Sequence, residues 1–557
     1  MTEIFRIADS YVGALCRLDP FTATAIGEPG YDDQVTNYSP DGVDARTDLA
    51  RQTLRTLDAA KPENDADRIA AAVMRDRIEV MLEGYEAGNP WRQLSNFDSP
   101  ISFIRAAFDG APRATPEDWA HIATRMSRVP DAIQGFTASL RHGLTTGRTA
   151  PRRQALVCAG QAGTLGGENT AGQPYFEALA AAGASAGADA EALTKGARLA
   201  AGAYTELARF LRDDYAPLSR DSDAAGEEVY ALGVRRFLGL TCDLREVYAW
   251  GWEELHRIEA EMDRTADAIA PGLGLDGTIA LLREDPARGL ATVEELLGFL
   301  QGLTDRTIEE LDGSHFDIPK EIRRVECRQA PPGTAAAMYY TPPSADFSRP
   351  GRTWYPVRDR TRFPLWTEVS TAYHEGVPGH HLQVGLCMTF QDRLSRFQRE
   401  LGFYSGHGEG WALYAERLME ELGYLEDPDY RLGMLAAHAF RAMRVIVDIG
   451  LHLQLEIPAG ERYEPGKVWD WEVALPFVTR YSYFGGPGFA SSELERYCGM
   501  PAQAISYKVG ERLWLDVRSQ LQARLGPAFD LKRFHMDALH MGSLPLDQLR
   551  REMLGLN

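Results

Sequence analysis

Residues 373–383 read YHEGVPGHHLQ, and this segment constrains the fold more than any other. It packs three histidines and a glutamate into eleven residues. Six of the chain's twelve histidines fall between positions 374 and 452: His374, His380, His381, His407, His438 and His452. A straight helix cannot carry this segment as a single ligand face. Six residues turn a helix through roughly 240°, so His380 would point away from His374. Seven residues restore the face, but about 10 Å of rise separates His381 from His374, too far for one ion. Pro378 removes a backbone donor and clashes with the preceding turn, and Gly379 tolerates unusual dihedrals. The segment therefore predicts a helix that breaks at Pro378-Gly379 and so returns His380 to the side of His374.

With that break, the segment reads as the metal-binding helix pattern H-E-x-x-H with two residues inserted. In that pattern two histidines hold zinc and the glutamate between them activates water. His374 and His380 are the expected ligands and Glu375 the expected general base. Catalytic zinc takes a third protein ligand and leaves a place open. Residues 405–417, SGHGEGWALYAER, place Glu409 at a helix start 29 residues after His380, enough for a turn and a returning helix. Glu416, two turns further on, is the weaker candidate. Two imidazoles and a carboxylate favour zinc, with Mn, Co and Fe as other divalent candidates.

Hydrolysis of an amide also needs a donor for the oxyanion. Tyr507 is the first choice, with Tyr481 and Tyr483 in the segment RYSYFGGPG behind it; the alternative for each, stronger for the latter two, is a packed aromatic with a satisfied hydroxyl. A substrate carboxylate would be held by arginine, and Arg441, Arg444, Arg480 and Arg496 lie in the right half of the chain. Sequence does not choose among them; Arg444 is the substrate-binding candidate named among the four. His381 and His407 are candidates for substrate contact or for orienting the ligands.

The chain's 557 residues exceed one ordinary core. Residues 1–330 have helical periodicity almost throughout. Asp67 to Tyr85 and Val247 to Ala266 each carry an apolar stripe, and Thr115-Pro116-Glu117-Asp118 is a helix start with a cap, a first-turn proline and acids at the positive end. Ala180 to Ala190, rich in Ala and Gly, contains a loop between helices. Ala335 to Pro343 and Arg352 to Val357 read as short strands, giving a small sheet near the metal site. The expectation is a mainly α fold, divided at about residue 330 into a helical N-terminal part (1–330) and a metal-binding catalytic part (331–557), or built as one continuous helical body.

A net charge of −21 argues against nucleic acid, which needs clustered Lys and Arg. Six scattered cysteines form no metal or redox motif and read as reduced, buried thiols. Residues 1–14 lack the features of a secretory signal, and no window has the roughly 18 apolar residues of a membrane helix. These readings predict a cytoplasmic protein without a membrane or nucleic-acid partner.

The segments YHEGVPGHHLQ, EGWALYAE and PAQAISYKVG (501–510), with AMYYTPP (337–343) and RVIVDIGLH (444–452), resemble the bacterial family called domain of unknown function 885. By motif the resemblance spans residues 335–515. It implies a large helical, zincin-like body, similar in fold to the thermostable-carboxypeptidase (M32) class of metallopeptidases. It also implies zinc held by His374, His380 and Glu409, with Glu375 as base. The family pattern has Pro-Gly-Gln-Ala where this chain has Pro501-Ala502-Gln503-Ala504. The expected function is a zinc-dependent hydrolase of amide bonds, a carboxypeptidase-like metallopeptidase acting on short peptides. Two alternatives stand beside it: a metal-dependent amidohydrolase of a small metabolite, and a non-catalytic protein with structural histidines.

Overall fold

The computed structural model describes residues 1–170, 172–330, 338–344, 346–357, 360–486 and 488–555. The fold is mainly α-helical with small sheets. It divides into two compact units: Met1–Leu232 with Ser492–Pro501, and Gly233–Ser491 with Ala502–Asn557.

The first unit is helical, and its helices begin where local chemistry starts them. Thr115 caps the helix Pro116–Thr146 by accepting from the Asp118 amide, and Asp118 answers by accepting from the Thr115 amide. This reciprocal cap satisfies two donors that a helix start otherwise leaves open. The expected helix at Asp67 to Tyr85 spans Asp65–Glu86. The Ala/Gly-rich stretch is helical as far as Ser185, and Ala190–Arg209 follows, so the loop is confined to residues 186–189. The helices bury one core that includes Ile122, Met126, Val129, Phe136, Ala200 and Tyr204. Removing that apolar surface from water, at about 25 cal/mol per Å², is what stabilises the unit.

The second unit holds the expected Val247 to Ala266 helix, observed as Leu244–Ile269. It also holds a three-stranded sheet with Gly351–Tyr355 in the middle. Val325–Gln329 pairs with that strand in parallel and Tyr339–Thr341 pairs with it antiparallel. The strand expected at Ala335 to Pro343 is seen over Tyr339–Thr341, and residues 331–337 lie outside the described residues. The parallel strand Val325–Gln329 was not anticipated. From Glu368 on the chain is helical again, with Glu368–Glu375, His380–Thr389, Ser405–Glu421, Pro428–Leu453 and Ser506–Leu525 among its helices, and Pro428–Leu453 is buried along nearly its whole length from Leu432 to His452. Among the described residues, no helix is long and apolar enough to cross a membrane.

Candidate metal centre

The helix Glu368–Glu375 stops after the His-Glu pair, and a new helix starts at His380. Between them the Gly379 amide donates to the Tyr373 carbonyl at 3.0 Å and the His381 amide donates to the Gly376 carbonyl at 3.0 Å. The Trp411 indole donates to the Pro378 carbonyl at 2.8 Å and ties the turn to the helix Ser405–Glu421. Position 379 has to be glycine: a Cβ there would lie 1.9 Å from the His374 carbonyl oxygen. The break carries His380 back beside His374, with ring centroids 4.9 Å apart and planes at 89°.

His374, His380 and Glu409 each bring one ligand atom into a cluster whose members all lie within 4.8 Å of one another. Glu409 Oε2 is 3.4 Å from Nε2 of His374 and 3.4 Å from Nε2 of His380. Two donors about 2.1 Å from a shared tetrahedral ion are separated by about 3.4 Å, so these residues fit zinc in distance as well as in ligand type.

Electrostatics around the cluster suit a cation. Burial favours neutral His374, but hydrogen bonds to the Glu409 and Glu416 carboxylates outweigh it and lift the imidazole to about 9. Burial also opposes the Glu409 charge, yet His374 and His380 hold that carboxyl well below its ordinary range.

Glu416, weighed from sequence as an alternative ligand, stands behind the site. Its Oε1 lies 2.8 Å from His374 Nδ1, and its other oxygen accepts from the Ser370 hydroxyl. A carboxylate at Nδ1 keeps a proton there, which would leave the Nε2 lone pair for a metal ion. Seven residues bring a helix back to the same face, so the Glu409–Glu416 spacing carried this signal. Glu375 is 7% exposed, and burial raises its carboxyl above the ordinary range, against the lowering effect of His380 and His374.

Tyr507 lies in the first turn of the helix Ser506–Leu525. Its ring is 6.5 Å from that of His374 and nearly parallel to it. The guanidinium groups of Arg441 and Arg444 stand 5.6 and 4.7 Å from the Tyr507 ring centroid. The helix is brought in by a crossing without side chains: a Cβ on Gly510 would lie 2.1 Å from the Gly406 carbonyl oxygen and 2.7 Å from the Gly410 Cα.

The structure places the other candidates elsewhere. His381 is fully buried; its Nε2 donates to the Ile322 carbonyl at 2.7 Å and its Nδ1 accepts from the Tyr340 hydroxyl at 3.1 Å. It joins the sheet to the helix His380–Thr389, and burial pushes its pKa down to about 4. His407 is also buried, with Nδ1 accepting from the Gln383 amide at 2.9 Å. The Tyr481 hydroxyl donates to Glu259 at 2.6 Å, and the Tyr483 ring packs beside that of Tyr481 while its carbonyl accepts from Arg283. Arg480 lies over Tyr481, and Arg496 pairs with Glu493 in the first unit. Tyr507 is thus the tyrosine that the fold brings beside His374, and Arg441 and Arg444 stand against its ring.

Solved structures share this fold. A candidate lipoprotein from Colwellia psychrerythraea is 22% identical with a TM-score of 0.84, over 99% of this chain and 98% of that one. A candidate lipoprotein of unknown function from Shewanella oneidensis is 17% identical with a TM-score of 0.75, over 100% of both chains. No curated protein matches the sequence. The family model described as "Bacterial protein of unknown function (DUF885)" matches residues 20–553, and the chain belongs to that family.

Proposed function

We propose that this chain is a zinc-dependent hydrolase of amide bonds, a zincin-like metallopeptidase related in arrangement to the thermostable-carboxypeptidase (M32) class and acting on short peptides. The observation that carries the reading is the three-donor cluster of His374, His380 and Glu409 with buried Glu375 adjoining the first ligand in sequence.

These three residues would hold the metal, which when bound supplies Lewis acidity to the scissile carbonyl. Glu375 takes the proton of the attacking water and passes it to the leaving amine; burial raises its pKa and so makes the carboxylate a stronger base. Tyr507 donates its hydroxyl hydrogen to the oxyanion of the tetrahedral intermediate. Arg441 and Arg444, whose guanidinium groups stand 5.6 and 4.7 Å from the Tyr507 ring centroid, provide positive charge for a substrate carboxylate.

Glu375→Gln tests the reading. It keeps nearly the same shape but cannot accept the proton, so zinc content should stay stoichiometric while turnover falls by at least about 10²- to 10⁴-fold. Dipeptides and N-acyl amino acids serve as the substrate panel, with metal content and turnover measured on one preparation. A zinc-replete, active Glu375→Gln protein would overturn the mechanism. For location, the cytoplasm is the proposal to test by cell fractionation. Recovery in the membrane fraction would replace it with the placement suggested by the relatives described as candidate lipoproteins.

A further inference from the structure

Lys508 follows Tyr507 in sequence, is 1% exposed, and has no part in the chemistry above. An ammonium group has three hydrogens to donate and no lone pair to accept with. Lys508 Nζ meets three acceptors: Glu254 Oε1 at 2.7 Å, Glu511 Oε2, and His438 Nδ1 at 3.4 Å.

The third contact has a consequence for His438. This side chain is fully buried on the helix Pro428–Leu453. Burial comes first among the influences that keep it neutral, followed by the cations Lys508, Arg417, Arg441 and Arg257. A neutral imidazole has one N–H and one lone pair. Because Lys508 can only donate, Nδ1 supplies the lone pair and the proton sits on Nε2. Glu511 Oε1, 3.5 Å from Nδ1, would favour the other tautomer, but it makes no hydrogen bond. His438 Nε2 has no hydrogen-bond partner either, and the nearest anion is Glu416 Oε2 at 3.7 Å. An N–H there faces the carboxylate; a lone pair there would face it with like charge. Glu416 in turn accepts from His374 Nδ1.

We propose that Lys508 fixes the tautomer of His438 and, through His438 and Glu416, the orientation of the metal ligand His374. It is a positioning residue three side chains removed from the ion. The donors converge on Glu416: Lys508 donates to His438, His438 points its N–H toward Glu416, and His374 donates to Glu416 from the other side, leaving His374 Nε2 as the ligand atom. The zinc part of the proposal rests on the metal-site reading above; the tautomer part does not.

The experiment is nitrogen-15 NMR of histidine-labelled protein with a zinc titration by chelator competition. The His438 signals are assigned by their loss in His438→Phe. Wild type should show a protonated Nε2 and an unprotonated Nδ1. Lys508→Met should move the proton to Nδ1, toward Glu511, and weaken zinc binding about tenfold, the lower end for loss of an outer partner of a ligand. Lys508→Arg, which still donates, should restore both. His438→Phe keeps both ion pairs of Lys508 and guards against misfolding of Lys508→Met; it should weaken zinc by a similar factor. In a Glu416→Gln background the effect of Lys508→Met on zinc should vanish. A wild-type His438 protonated on Nδ1 overturns the proposal, as does a Lys508→Met protein with unchanged tautomer and zinc affinity. If wild type takes up no zinc, the metal-site reading falls while the tautomer still decides the role of Lys508.

Discussion

His380 and His381 are adjacent in sequence, and only the break at Gly379 tells them apart. The His380 Nε2 sits in the ligand cluster, whereas both nitrogens of His381 are occupied by Ile322 and Tyr340. Substituting His374, His380 or Glu409 by Ala should therefore abolish stoichiometric zinc, measured by elemental analysis after dialysis. His381→Ala should retain zinc and lose stability by about 1–3 kcal/mol, the cost of leaving buried partners unpaired. Loss of zinc from His381→Ala with retention in His380→Ala would reverse the assignment. Glu416→Gln belongs at the same scale. It should keep zinc but bind it about 10- to 100-fold more weakly, as removal of an outer hydrogen-bond partner of a ligand does.

At the level of elements, the crossing of Ser405–Glu421 and Ser506–Leu525 sets the distance between Glu409 and Tyr507. Gly510 faces backbone there, which cannot rotate out of the way, so Gly510→Ala should destabilise by about 3 kcal/mol and lower zinc affinity or turnover as well. Gly202 supplies the contrast. It is exposed within the helix Ala190–Arg209 and a Cβ there meets nothing, so Gly202→Ala should stabilise by about 0.5–1 kcal/mol. Chemical denaturation of the two variants checks the signs, and two equal effects would refute the crossing argument. What sequence made legible follows the same division between local and distant. The cap at Thr115, the apolar stripes of the long helices and the Pro-Gly break are encoded within a few residues, and reading them requires no partner. The strand Val325–Gln329 depends on pairing in parallel with Gly351–Tyr355, a partner more than twenty residues away, and nothing in VECRQ announces it. Lys508 lies within the segment PAQAISYKVG, but its partners Glu254 and His438 are on two other helices. Tyr481 and Tyr483 resembled Tyr507 in sequence; which tyrosine approaches His374 is decided by where glycines allow helices to meet.

For the whole molecule the main electrostatic liability is a set of histidines buried without charge. Burial pushes His407 and His535 down to about 3 and His381 to about 4. In the unfolded chain each takes up a proton near pH 6.5. Below that pH the unfolded state binds protons that the folded state refuses, so stability is fully present above about 6.5 and falls as pH drops toward 4 for His381 and toward 3 for the other two. Each histidine contributes a loss of about 1.4 kcal/mol per pH unit in its window, or about 2 kcal/mol between pH 6.5 and 5. Glu375 and Glu511 act the other way. Burial raises their carboxyls in the fold, so they bind protons there before they would in the unfolded chain and offset part of the loss. The three histidines together set an upper limit of about 6 kcal/mol on the fall by pH 5, and the two carboxyls reduce it. His374 has the opposite sign in metal-free protein: raised to about 9, it stabilises fully below about 6.5 and its contribution is lost as pH rises through 9. Metal-stripped protein should therefore be most stable near pH 6.5, with the alkaline decline removed by zinc and the acid decline unaffected by it. Denaturant midpoints between pH 5 and 9, with and without zinc, measure both limbs. A midpoint that stays level or rises from pH 6.5 to 5 would mean that the buried histidines are protonated in the fold, and the neutral state assigned to them would be wrong.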